Sequence, residues 1–152
     1  MTISLSDAGK RFNRDWIFRH FTFTFETGQS YAITGPNGSG KSTLLQALSG
    51  SMMLSEGQIS YLQENKPVNA ETIYRQVSIC APYLEVVEEM TLREFLDFHS
   101  GFKPWLPGID AAAIISATGL EKAANKQVRF YSSGMKQRVK LAQCLFSDTA
   151  IV

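Results

Sequence analysis

Hydrophobic and polar residues alternate in the first third of the chain, which is the pattern of strands with one buried face. Phe21, Phe23 and Phe25 alternate with threonine and glutamate, and a turn is predicted at residues 27–28. Apolar runs without strict alternation predict strands that are buried more completely. One such strand is predicted at residues 30–34. Further strands are predicted at residues 59–62 and 77–80, and a loop is predicted at residues 66–69.

Apolar residues at helical spacing predict four helices in the remainder of the chain. Thr91 and Glu94 form a capping box that begins a helix ending near Ser100. Asp110 can cap a second helix, residues 111–118, which Gly119 would end. The other two helices carry the apolar sets Leu44, Leu45 and Leu48, followed by Gly50, and Val139, Leu141, Ala142 and Leu145.

Residues 35–43 read Gly-Pro-Asn-Gly-Ser-Gly-Lys-Ser-Thr, a complete phosphate loop between a predicted strand and a predicted helix. The loop glycines can adopt positive φ, which turns several backbone N–H groups toward one anion. Lys41 would reach the β- and γ-phosphates and is the candidate catalytic residue, while the Ser42 hydroxyl suits Mg²⁺. The predicted nucleotide contacts in this loop are Gly35, Asn37, Gly38, Ser39, Gly40, Lys41, Ser42 and Thr43.

A second cluster, residues 131–138, reads Tyr-Ser-Ser-Gly-Met-Lys-Gln-Arg and precedes the last predicted helix, which Ser132 would cap. It resembles the Leu-Ser-Gly-Gly-Gln signature of ABC-type ATPases: Ser132 and Gly134 match, whereas Tyr131, Ser133 and Met135 depart. Taken alone, such a segment is equally typical of an ordinary surface helix. Its occurrence together with the phosphate loop favours the ABC family.

The resemblance implies an α/β fold with a P-loop NTPase core. An N-terminal antiparallel β-subdomain and a helical subdomain at about residues 84–130 would complete one domain over residues 1–152. It implies an ATP-binding subunit of a transporter that uses ATP and Mg²⁺. Ser132 and Gly134 would contact the nucleotide held by a second nucleotide-binding domain, in a homo- or heterodimer. Residues 84–89 lie where the family docks on a transmembrane subunit, although an acidic loop is the alternative.

Two aromatic positions bear on the comparison with the family. Phe12 has the spacing of the aromatic residue that stacks on adenine in ABC proteins, with Trp16 as the second choice. A packed aromatic on an edge strand is the alternative for Phe12. Tyr83 stands where the family places a glutamine near Mg²⁺ and the attacking water, and a phenol differs from an amide in reach and geometry.

Residues 149–152 predict the opening of an apolar strand that, in the family, ends in an aspartate and a glutamate. Asp148 precedes this strand and is interpreted as a turn residue. His20 and His99 lie before the signature and cannot be the family's later switch histidine. We therefore expect an incomplete C-terminus and poor hydrolysis, since those carboxylates position Mg²⁺ and water.

Composition limits the partners and cellular locations that the chain can have. Hydrophobic residues make up 44% of the chain and the net charge is +1, so no nucleic-acid partner is expected. Cys80 and Cys144 lack metal spacing and are predicted to be buried, reduced thiols of a cytoplasmic protein. Apolar runs fall short of the roughly 20 residues that cross a bilayer, so any membrane role requires a separate protein. The resemblance implies a cytoplasmic chain that is peripheral at the inner face of the membrane through its partner.

Other functions remain open. A non-catalytic nucleotide-binding module, or a soluble ABC protein that acts on nucleic acid or ribosomes, is the leading alternative. A GTPase would carry Asn-Lys-x-Asp, but residues 125–128 lack the aspartate. A small-molecule kinase would lack the segment at residues 131–138.

Overall fold

A computed structural model describes residues 1–81 and 84–152. These residues divide into two compact units, Met1–Tyr74 and Arg75–Val152. The first unit contains a β-sheet and a helix, and the second is mainly helical, as the predicted α/β class requires. That residues 1–152 form one domain, with a helical subdomain at about 84–130, stays a prediction.

The first unit is built on a four-stranded antiparallel sheet with the order β2-β1-β3-β4. In β1, Ile3 and Leu5 are buried and alternate with Ser4, whose hydroxyl lies 3.2 Å from that of Thr24 on β2. The predicted strand at Phe21–Phe25 and the turn at residues 27–28 are confirmed. The elements are β1 (Thr2–Phe12), β2 (Asp15–Phe25), α1 (Lys41–Leu48), β3 (Glu56–Gln63), β4 (Lys66–Pro67) and a 3-10 helix (Ala70–Arg75).

Three predictions for this unit were wrong. Residues 30–34 form no strand, because no described segment supplies a neighbouring ladder, and most of their side chains are exposed. Part of the predicted loop, Lys66–Pro67, pairs with Leu62 and Gln63 as an edge strand. Leu45 is 55% exposed, and Ala47 instead joins Leu44 and Leu48 on the buried face of α1.

The second unit surrounds a core that α2, α3 and α4 share. Leu96, Ile114 and Val139, one from each helix, are completely buried. Burying a side chain of this size contributes about 1.5–3 kcal/mol relative to leaving it in water. The bounds are α2 (Leu92–Ser100), α3 (Ala111–Thr118) and α4 (Ser133–Leu145), with 3-10 helices at Glu121–Ala123 and Val128–Phe130.

Local sequence signals set the ends of these helices as predicted. Thr91 and Glu94 make both hydrogen bonds of a capping box at the start of α2. The Asp110 carboxylate accepts the Ala113 N–H at 2.7 Å, and Gly119 ends α3 in the left-handed conformation. Each signal acts within one helical turn, so it does not depend on the rest of the fold.

The two strands predicted at residues 77–80 and 149–152 meet in a single parallel bridge, Val77 to Ile151. Ser78 N–H donates to the Ile151 carbonyl at 2.8 Å, and Ile151 N–H donates to the Gln76 carbonyl at 3.0 Å. The prediction of a buried Cys80 was wrong, since burial ends at Ser78 and both Ile79 and Cys80 are exposed, whereas Cys144 is buried. No α-helix within residues 1–81 and 84–152 is long and apolar enough to cross a bilayer.

His99 belongs to the core of the second unit. Its Nε2 lies 2.8 Å from Ser147 Oγ, which itself donates to the Gln143 carbonyl at 2.6 Å. Because the Ser147 hydroxyl has one hydrogen and gives it to Gln143, the imidazole must donate Nε2–H to Ser147. Burial, together with the nearby Lys103 ammonium, lowers the pKa of His99 to about 4 from its ordinary 6.5.

The lowered pKa of His99 predicts that the folded chain loses stability in acid. The unfolded chain binds a proton at His99 below pH 6.5 and the folded chain only below about 4, so stability falls as the pH drops between these values. His99→Gln keeps an N–H donor without titrating, and should flatten the fall in the free energy of unfolding between pH 7 and pH 5. The control is His20→Gln, a change at an exposed histidine. Urea unfolding curves for His99→Gln that follow the wild-type pH dependence would refute this assignment.

Candidate functional site

The phosphate loop adopts the backbone conformation that its glycines predict. Gly35, Gly38 and Gly40 have φ values of 148°, 83° and 87°. Residues other than glycine adopt such angles rarely, at a cost of roughly 1–2 kcal/mol. Gly40 also lies against β2, since a Cβ there would be 2.5 Å from Ile17 Cγ2. The loop therefore needs a glycine at position 40 for both its conformation and its packing.

The Lys41 side chain folds back over the loop that precedes it. Its Nζ donates to the Gly35 carbonyl at 2.9 Å and to the Pro36 carbonyl at 2.8 Å. Ser39 N–H closes the turn by donating to the Pro36 carbonyl at 3.2 Å, and the exposed Asn37 lies within it. The ammonium is thus held at the loop, where it can exchange carbonyl contacts for phosphate oxygens.

The start of α1 is left without a side-chain cap. Its N-cap is Gly40, no side chain accepts from the first turn, and no acidic residue lies there. Among the α-helices that the structure describes, the other three are capped by Thr91, Asp110 and Ser132. Free N–H groups and the positive end of the helix dipole favour an anion at α1.

The residues present fit the phosphates of a nucleotide and a magnesium ion. Gly40 and Lys41 offer backbone donors and a positive charge, and the half-buried Thr43 offers a hydroxyl two residues further along. Ser42 is exposed, so its hydroxyl is open to a hard cation that would also take phosphate oxygens. No cluster of three or more His, Cys, Asp or Glu side chains in the described ranges is arranged to hold a metal ion.

The two candidate aromatic residues flank the turn between β1 and β2. Phe12 is 46% exposed, with Lys10 Nζ 5.3 Å from its ring centroid. Trp16 is 36% exposed and lies under two guanidinium groups, those of Arg11 and Arg19. Phe12 therefore offers the more open ring for a base, although its stacking role stays a prediction.

The signature segment begins α4 in the second unit. The Ser132 hydroxyl accepts the Met135 N–H at 3.3 Å, so the predicted N-cap is confirmed. Ser132, Ser133 and Gly134 are all exposed, and no Cβ at Gly134 would meet another atom within 4 Å. The segment presents an open helix N-terminus, which suits contact with an anion brought by another molecule.

Three contacts that hold this helix were missed by the sequence analysis. Tyr131, which departs from the family's leucine, is buried and donates its hydroxyl to the Ala123 carbonyl at 2.7 Å. Burial raises the pKa of Tyr131. Lys136 Nζ lies 2.6 Å from the Glu88 carboxylate, and Arg138 donates to the Thr118 carbonyl at 2.7 Å. The basic residues Lys136 and Arg138 just after the signature were the signal in the sequence for two of these contacts.

The other residues considered in the sequence analysis lie outside the phosphate loop and the signature segment. Glu88 ties the acidic segment to α4, and Leu84 and Val87 in the same segment are partly exposed. His20 is exposed and lies 2.7 Å from Asp7, while Asp148 N–H donates to the Pro104 carbonyl beside the bridge between Trp105 and Ser147. The expectation for Tyr83 falls outside the described residues.

Comparison with known proteins points to one family. The family model for ABC transporters matches residues 18–152. An uncharacterized ABC transporter ATP-binding protein, YybJ of Bacillus subtilis (strain 168), is 30% identical over 99% of this chain and 68% of its own length. Nod factor export ATP-binding protein I of Bradyrhizobium diazoefficiens is 31% identical over 97% of this chain and 49% of its own length. The chain thus spans about half to two thirds of these relatives.

Solved structures agree with this comparison. The structure of an ATP-binding subunit of an ABC transporter matches 95% of this chain and 61% of its own, with a TM-score of 0.75 and 25% identity. The match covers both units of the described chain, so the P-loop fold predicted from the sequence is confirmed.

The close approach at Gly40 gives a testable prediction. Gly40→Ala combines an unfavourable φ with a clash against Ile17, whereas Gly28→Ala has a similar φ of 77° and no atom within 4 Å. Gly28→Ala should lower the free energy of unfolding by about 1–2 kcal/mol, and Gly40→Ala should lower it further. Chemical denaturation measures both. Equal losses in the two variants would show that the contact with Ile17 does not constrain the loop.

Proposed function

Since this chain belongs to the ABC transporter family, we propose that it binds Mg²⁺-ATP through residues 35–43 as the ATP-binding subunit of a transporter. The main support is the agreement of three features at one place. The loop glycines adopt positive φ, α1 starts without a side-chain cap, and the Lys41 ammonium lies over the loop. Together they concentrate positive charge and N–H donors where a triphosphate would lie.

In this proposal the charged, hydroxyl and backbone N–H groups of the loop have separate roles. Lys41 moves from the carbonyls of Gly35 and Pro36 to the β- and γ-phosphates, and its charge balances theirs. Backbone N–H groups of Gly38, Gly40 and the first turn of α1 hold the phosphate oxygens. Ser42 and Thr43 supply hydroxyls, Ser42 to the metal ion. Ser42 would hold Mg²⁺, which when bound would neutralise part of the phosphate charge.

The base and the γ-phosphate would be recognised by residues outside the loop. Phe12 stacks on the adenine through its exposed ring. Ser132 and Gly134 meet the γ-phosphate held by a second nucleotide-binding domain, using the exposed N-terminus of α4. ATP-binding subunits of this family generally form dimers and pair with transmembrane subunits. We propose the same for this chain, which would place it at the cytoplasmic face of a membrane.

Lys41 gives a direct test of the proposal. Lys41→Ala removes the ammonium group that donates to the Gly35 and Pro36 carbonyls, and calorimetry should show Mg²⁺-ATP binding lost. Lys122→Ala, at an exposed lysine of the second unit, should bind as the wild type does. Unchanged affinity in Lys41→Ala would contradict the proposed site.

A further inference from the structure

Trp16 is part of a charged stack whose members come from three strands. Arg11 comes from β1 and Arg19 from β2, and Arg19 reaches across β1 to Glu56 on β3. Arg19 Cζ lies 4.4 Å and Arg11 Cζ lies 5.5 Å from the Trp16 ring centroid. Contacts of this kind attract a cation to the face of an aromatic ring. Two guanidinium groups already lie over Trp16, which leaves its ring less open to a base than that of Phe12.

The far end of the stack is anchored on β3. Arg19 donates from Nε to Glu56 Oε1 at 2.7 Å and from Nη2 to Glu56 Oε2 at 3.2 Å, a two-pronged contact that lysine cannot make. The Glu56 side chain lies against Gly9, where a Cβ would be 2.6 Å from Glu56 Cγ. The Glu56 side chain therefore packs against β1, and its carboxylate fixes the position of the Arg19 guanidinium group.

The other residues near the turn are held by separate contacts. Lys10 Nζ donates to the Met53 carbonyl at 2.8 Å, and Arg11 N–H donates to the Ser55 hydroxyl at 3.2 Å. Phe12 follows directly and pairs with Asp15 across the turn. Ile17, next to Trp16, contacts Gly40 of the phosphate loop. The strand that carries Trp16 thus connects the turn bearing Phe12 to the loop that would hold the phosphates.

We infer that Trp16, held by Arg19 and Glu56, is a positioning residue that fixes the β1–β2 turn so that the Phe12 ring meets the adenine. The inference rests on the proposed function and adds a residue to its site. Trp16 itself does not touch the base. Its loss should weaken recognition of the base and leave recognition of the phosphates unchanged.

The experiment compares two ligands, Mg²⁺-ATP and Mg²⁺-tripolyphosphate, which has the phosphates without a nucleoside. Calorimetry on the full chain measures both affinities for the wild type, Trp16→Leu, Phe12→Leu and the control Phe23→Leu, a similarly exposed aromatic on β2. Phe12→Leu should weaken ATP binding about fivefold or more, and Trp16→Leu about threefold to tenfold. Tripolyphosphate binding should stay within about twofold, and Phe23→Leu should match the wild type with both ligands.

Two further variants keep the test decisive if Trp16→Leu does not fold. Trp16→Phe retains an aromatic face for the guanidinium groups and should restore most of the ATP affinity. Arg19→Lys keeps the charge but loses the two-pronged contact with Glu56, and should weaken ATP binding selectively.

The outcomes separate this inference from the proposed function. If Phe12→Leu weakens ATP binding while Trp16→Leu and Arg19→Lys do not, the inference is overturned and the nucleotide site stands. Equal weakening of ATP and tripolyphosphate in both Trp16→Leu and Arg19→Lys would show a general structural role and would also overturn it. If the wild type binds neither ligand, the proposed function itself fails.

Discussion

The unsatisfied N–H groups at the start of α1 are the constraint on which the candidate site depends. A helix must satisfy its first N–H groups with a side chain, water or a ligand. Helices α2, α3 and α4 use Thr91, Asp110 and Ser132 for this purpose, while α1 has Gly40 and no side-chain acceptor. An acidic side chain at this helix terminus would repel phosphate. The glycine leaves the helix terminus open to a ligand.

Gly40 also connects this helix terminus to the sheet. Its close contact with Ile17 ties the end of the loop to β2, and β2 pairs with β1 across the turn near Phe12. Within the first unit, the antiparallel pair of β1 and β2 can therefore hold the Phe12 ring at a fixed position relative to the phosphate loop. In the second unit, Ser132 is positioned by its cap on α4 and by the contacts of the neighbouring Tyr131 and Lys136.

The features that the sequence predicted correctly are those decided within a few residues. The capping box at Thr91, the left-handed Gly119 and the Ser132 cap depend on side chain and backbone groups less than one turn apart. The loop glycines behave in the same way, because positive φ is a property of each residue. Periodicity also gave the alternating strand at Phe21–Phe25.

The features that the sequence did not predict depend on contacts between residues that are distant in the chain. Residues 30–34 have strand composition, but a strand requires a neighbour, and none of the described segments supplies one. Lys66–Pro67 became a strand because β3 pairs with it. The exposure of Leu45 and Cys80, like the contact from Lys136 to Glu88, follows from tertiary packing. The Trp16 stack belongs to this group, since its members come from three strands.

Amide chemical shifts of the isotopically labelled chain would test the central claim most directly. On titration with Mg²⁺-ATP, the backbone N–H resonances of Gly38, Gly40 and Lys41 should show the largest shifts, because their protons would point at phosphate oxygens. The same resonances should shift with Mg²⁺-tripolyphosphate. Unchanged signals from these three residues, with saturable shifts elsewhere in the chain, would contradict the account.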